Sequence, residues 1–118
     1  MTIPLMRAPT YFVLASLLDG PLHGYGIIKR ADELSGHRVR LATGTLYTAL
    51  DRLSAEGYVR LVSEEIVNGR ARRSYGLTDE GAAALSAEAE HLAQAARVVT
   101  GKERRSPAGA VVRRPRPA

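Results

Sequence analysis

Residues 58–77 read YVRLVSEEIVNGRARRSYGL, and this stretch decides the fold. Two runs rich in β-branched and aromatic residues flank Asn68-Gly69. Asn-Gly is a strong short-range hairpin signal, because both residues of a two-residue turn must accept positive φ. A two-residue turn pairs Val67 with Arg70. Counting outward, Glu65 then faces Arg72 and Glu64 faces Arg73. Opposite charges across the strands favour that register.

Upstream of the hairpin, ATGTLYTALDRLSAEG predicts a helix over about 44–56. Leu46, Ala49, Leu50 and Leu53 recur at helical spacing and make a buried stripe. Thr43 reads as its N-cap and Gly57 as its stop. Before it, Arg38-Val39-Arg40-Leu41 alternates with period two and reads as a short extended piece. HGYGIIKRADELS, 23–35, reads as a helix with Ile27, Ile28, Ala31 and Leu34 inward. Gly24 and Gly26 weaken its first turn by about 1 kcal/mol each relative to Ala, which points to close backbone packing or an irregular start. TYFVLASLL, 10–18, reads as a buried first helix, with Pro9 suited to its first turn. Asp19-Gly20-Pro21 ends it. Downstream, Thr78 caps a last helix reaching about Val99, and Asp79 and Glu80 suit its dipole.

Three helices, a hairpin and a fourth helix describe a mainly α fold with a β-hairpin wing. This is a winged helix-turn-helix plus a C-terminal dimerisation helix. The expected divisions are 1–77 for the winged helix-turn-helix, 78–100 for the dimerisation helix and 101–118 for a disordered basic tail. On the last helix Ala82, Leu85, Ala89, Leu92, Ala96 and Val99 are spaced 3, 4, 3, 4, 3, a two-position heptad seam. Small residues there let two helices approach closely, so the seam predicts a homodimer. The plainer alternative is a stripe packed on its own domain.

The chain has 118 residues, 45% of them apolar, and a formal net charge of +5. Residues 1–100 hold eleven Arg or Lys and eleven Asp or Glu, so the whole excess falls in 101–118. A DNA-binding surface on the body must therefore come from segregated charge. No apolar run reaches the ~20 residues of a membrane span, and the start has no signal-peptide pattern. There is no Cys, hence no disulfide and no thiolate zinc site. A cytoplasmic protein is expected. His23, His37 and His91 lack metal-ligand companions, and no nucleophile elbow, phosphate loop or dinucleotide fingerprint occurs. No enzyme activity, metal or cofactor is expected.

In a winged helix the third helix enters the major groove and the wing follows the backbone. Thr45, Tyr47, Thr48, Asp51 and Arg52 lie on its outer face. Hydroxyls and guanidinium groups read base edges or hold phosphates. The helix start at Thr43 and Gly44 favours a phosphate. Arg70, Arg72 and Arg73 sit beside the wing turn. Taken singly, each of these features is more often a solvated surface; the order of elements brings them together.

GPLHGYGI, GTLYTALDRLSAEGYV and GRARRSYGLTDEG, in that order, resemble the PadR-like regulators over about residues 7–95. The resemblance implies a homodimeric transcriptional repressor or activator that binds double-stranded DNA, a repressor being expected, and a two-fold protein calls for an inverted-repeat operator. It assigns Tyr47, the start of the third helix and the wing arginines to DNA, and the last helix to the dimer. It also implies, for some members, a small apolar or phenolic effector held where the first and last helices meet; here Ala8, Tyr11, Phe12, Ala89 and Leu92 would line that space. Residues 79–99 contain no Phe, Tyr or Trp, so planar stacking would fall to Tyr11 and Phe12. The alternative function is a winged-helix protein–protein interaction module without DNA binding. The basic wing and the polar third helix speak against it.

Overall fold

The computed structural model describes residues 6–105. The elements run α1 (Ala8–Ser16), β1 (Leu22–His23), α2 (Gly24–Leu34), α3 (Thr43–Ala55), β2 (Val59–Val67), β3 (Arg70–Leu77) and α4 (Asp79–Arg105). Four helices and a small antiparallel sheet make a winged helix. The chain divides into two units, one ending at Glu88 and one starting at Ala89.

The wing forms as its sequence predicts. Asn68 and Gly69 have φ of 53° and 77°, the paired positive values of a type I′ turn. Val67 pairs with Arg70, Glu65 with Arg72 and Glu64 with Arg73. A register shift between Leu61 and Ser63 puts Val62 out of the ladder, and such an extra residue bends a strand. The sheet has a third strand, β1, in the order β1-β3-β2. Leu22 and His23 pair with Tyr75 and Ser74.

Helix ends follow local chemistry. Pro9 occupies the first turn of α1. Beyond α3, Gly57 has φ of 85°. The Gly57 amide donates to the Ser54 carbonyl at 3.0 Å and the Tyr58 amide to Leu53 at 2.9 Å, the bond pair that closes a helix on a left-handed residue. At α4 the Thr78 hydroxyl accepts from the Gly81 amide at 2.9 Å and donates to the Gly57 carbonyl at 2.6 Å. The cap of α4 is thereby also tied to the end of α3.

The core of the first unit joins Val13, Leu14 and Leu17 of the α1 region, Ile27 of α2, Leu46, Leu50 and Leu53 of α3, Val59, Tyr75 and Leu85. Burying such side chains contributes about 1.5–3 kcal/mol each.

Four expectations are corrected. Arg38–Leu41 forms no strand: its alternation arises because Val39 plugs into the interior while Arg38 and Arg40 stay exposed. The Ser35 hydroxyl holds this stretch by accepting from the amides of Arg38 and Val39, at 3.2 and 2.8 Å. Thr43 is not an N-cap but the first residue of α3, and Ala42 stands before it with no side-chain cap. Leu34, at the end of α2, is exposed. The helix expected to stop near Val99 continues to Arg105. Gly101 costs about 1 kcal/mol relative to Ala within a helix, and Lys102, Glu103, Arg104 and Arg105 after it add little propensity cost of their own. The remainder of the expected tail, 106–118, lies outside the described residues.

Candidate nucleic-acid interface

The sequence of α3 sorts itself into two faces. Leu46, Leu50 and Leu53 are fully buried, which turns Thr45, Thr48 and Arg52 to solvent with Thr43 and Gly44 at the start. Gly44, Thr45, Thr48, Ala49 and Arg52 line one shallow surface depression. The first turn of α3 has neither an acidic residue nor a side-chain cap, so its leading amides are left to solvent or to an acceptor. Arg52 is not a free arm. It donates to the Thr10 hydroxyl at 3.1 Å and sits 3.7 Å from the Glu56 carboxylate, which aims its guanidinium along the helix.

The three wing arginines are not equivalent. Strand alternation puts Arg70 and Arg72 on one face of β3 and Arg73 on the other. Arg73 donates through Nε to Glu64 at 3.1 Å. That hydrogen bond and the carboxylate charge, with a smaller contribution from Tyr75, hold its pKa above the ordinary guanidinium value. Arg70 and Arg72 make no ion pair among the described residues. Two of the three expected cations are therefore available to an anion, and the third is committed within the wing.

Tyr47 lies half-buried against the core, and its ring packs over Gly24 at the start of α2. A Cβ at position 24 would collide with the Tyr47 hydroxyl and stand 3.0 Å from Cζ. Of the two readings left open for the glycines of this turn, close packing holds at Gly24. Around this contact a second groove is lined by His23, Tyr25, Tyr47, Asn68, Arg70 and Arg72, among others. His23 and Tyr25 were not among the expected site residues. The His23 ring Nδ1 accepts from the Gly26 amide at 3.3 Å, capping α2. Their signal lay in the HGYG run, where the pairing of β1 with β3 brings the start of α2 beside the wing.

The dimer seam is only partly available. Ala82, Leu92, Ala96 and Val99 are exposed and Ala89 is half-buried, but Leu85 is 5% exposed and belongs to the core of its own unit. Leu85 is thus corrected from a seam residue to a core residue. Val98, outside the seam, is also exposed. Of the residues expected to line an effector space, Tyr11 and Phe12 stack edge-to-face at 5.2 Å on α1, where Ala8 is exposed. Ala89 and Leu92 belong to the second unit. Among the described residues no cluster could hold a metal ion, and no helix is long and apolar enough to cross a membrane.

Comparison with known proteins gives the family and the fold. Residues 13–87 match the Transcriptional regulator PadR-like family. The chain is 43% identical over 90 residues to the transcriptional regulator Rv3488 of Mycobacterium tuberculosis, covering 75% of this chain and 79% of that protein. Its fold is similar to a PadR family transcription regulator of Clostridium difficile R20291, with a TM-score of 0.66 and 26% identity over 80% of this chain and 97% of the other. It is also similar to Bacillus subtilis PadR in complex with operator DNA, with a TM-score of 0.60 and 28% identity over 68% of this chain and 46% of the other.

Proposed function

The chain belongs to the PadR-like family of transcriptional regulators, and on that premise we propose that it binds double-stranded DNA sequence-specifically, as a cytoplasmic homodimer and a repressor. The carrying observation is the co-location on one unit of an uncapped, hydroxyl-rich α3 face and a wing with two arginines that make no ion pair among the described residues. The solved complex of the Bacillus subtilis relative with operator DNA supports the same reading. In this reading, Thr45, Thr48 and Arg52 read base edges, the start of α3 at Thr43 and Gly44 meets a phosphate, and Arg70 and Arg72 hold the backbone. The stripe of α4 formed by half-buried Ala89 and exposed Leu92, Ala96 and Val99 pairs two subunits. A two-fold protein then calls for an inverted repeat. A small apolar or phenolic effector at the Tyr11–Phe12 pair, relieving repression, belongs to the same proposal.

Selection of bound duplexes from random DNA tests it. Enrichment of an inverted repeat supports both the readout and the dimer. Recovery of unenriched sequence at physiological salt would overturn the sequence-specific reading.

A further inference from the structure

The groove between the start of α2 and the wing is lined by donors, with no carboxylate among its described lining residues; Glu65, the cross-strand partner of Arg72, makes no ion pair with it. His23, Tyr25, Tyr47, Asn68, Arg70 and Arg72 bring two phenol hydroxyls, an imidazole, an amide and two guanidinium groups to one open cleft. Three features make it a built arrangement. The pairing of His23 with Ser74 staples the start of α2 to the base of the wing. Packing on Gly24 sets the Tyr47 ring. The turn at Asn68-Gly69 then carries Arg70 and Arg72 along the same side, while Arg73 is drawn away by Glu64. Tyr25 is 71% exposed, so its ring does little for the core. Its hydroxyl is an accessible donor beside two cations that have no ion-pair partner among the described residues.

We infer that this groove clamps one backbone phosphate of the DNA, with Arg72 supplying the charge and the Tyr25 hydroxyl a directed hydrogen bond. The inference rests on the proposed DNA binding and extends it to a contact that carries no sequence information. Tyr47 belongs both to α3 and to the groove wall, so the clamp is continuous with the reading face. A strand entering the groove beside α3 passes the wing on the Arg70–Arg72 side. Its non-bridging anionic oxygens are the acceptors that this donor set lacks.

The test uses the full chain and a duplex recovered by selection, with single neutral methylphosphonates placed in turn along each strand. For the wild type, one position per half-site, apart from any held by the start of α3, should cost about tenfold in affinity, the value of a charge-assisted contact. Tyr25→Phe and Arg72→Ala should each weaken the natural duplex about five- to tenfold, and lose nothing further at that position, because groups that share a partner are not additive. Tyr25→Phe removes one exposed oxygen and keeps the ring, so the fold is preserved. Penalties that add at every methylphosphonate position would overturn the clamp while leaving DNA binding intact. Failure of the wild type to bind any selected duplex would overturn both readings.

Discussion

The Tyr47 ring closes over Gly24, with no room for a side chain between them. The contact joins the start of α2 to the exposed face of α3, so it governs how α3 is presented. Gly24→Ala is therefore expected to destabilise the protein by about 1–3 kcal/mol, the usual cost of forcing a methyl into a filled contact, despite the better helix propensity of Ala. Adding Tyr47→Phe removes the atom that collides and should recover part of the loss. Urea melts of the two single variants and the double variant check this. Additive losses would mean that the two residues do not bear on each other.

Leu85 and Leu92 look alike in the sequence, seven residues apart on one apolar stripe, and the structure separates them. Leu85 is 5% exposed in its own core and Leu92 is 47% exposed. Leu85→Asp buries a carboxylate without a partner, so it should unfold the subunit. Leu92→Asp should leave the circular dichroism and melting of the subunit intact and convert a dimer to a monomer in light scattering. A Leu92→Asp variant that stays dimeric would move the dimer contact elsewhere on the surface.

Most of this fold was legible in local chemistry. The wing register followed from Asn68-Gly69 and three cross-strand pairs, and the helices from the spacing of Leu46, Leu50 and Leu53. What escaped depends on contacts between distant residues. A two-residue strand such as Leu22–His23 is too short to show a period, and only its pairing with Tyr75 and Ser74 defines it. The alternation at Arg38–Leu41 looked like a strand, but a single buried valine produces the same pattern. Of the candidate site, the residue types were readable and their commitments were not. The register set Glu64 opposite Arg73 and Glu65 opposite Arg72 alike, but no local rule says that only Arg73 is spoken for, or that Arg52 is engaged by Thr10. Tyr25 was hidden because an exposed tyrosine and a core tyrosine read alike until the wing is placed beside it.

The wing arginines should separate in a binding assay. Arg72→Ala is expected to weaken all duplexes by a similar factor and to flatten the dependence of log affinity on log salt by about one unit for each phosphate no longer neutralised. Arg73→Ala removes a charge already engaged by Glu64 and should change affinity several-fold less. Equal effects of the two substitutions would mean that the Glu64 pair opens when DNA arrives.

On α3, Thr48→Ala and Arg52→Ala should act differently from either wing variant. If these side chains reach base edges, each substitution should cost about 1–3 kcal/mol on the selected site, with much less effect on random DNA. Arg52 is anchored through the Thr10 hydroxyl, so Thr10→Ala should reproduce a fraction of the Arg52→Ala effect without touching DNA itself. The readout is the affinity ratio between selected and random duplex. A ratio unchanged in all three variants would remove base recognition from this face.

The C-terminal residues should supply affinity without information. Residues 1–100 sum to zero formal charge, and the +5 excess belongs entirely to 101–118. Lys102, Arg104 and Arg105 fall within α4, and Arg113, Arg114 and Arg116 follow it. Truncation after Arg105 therefore removes three cations per subunit while keeping all of Asp79–Arg105, whereas a cut after Thr100 would shorten α4. Cations that approach phosphates release condensed counterions, and that gain depends on charge and not on base sequence. The truncated protein should lose affinity for selected and random duplexes by similar factors, with a shallower salt slope and the same preferred motif. The proposed dimer stripe argues the other way, since the half of α4 that precedes these residues is engaged with a second subunit and not with DNA. The salt slope decides between them. An unchanged slope would keep these residues away from DNA, and a loss confined to the selected site would make them readers of sequence, for which a run of Pro and Arg offers no base-specific geometry.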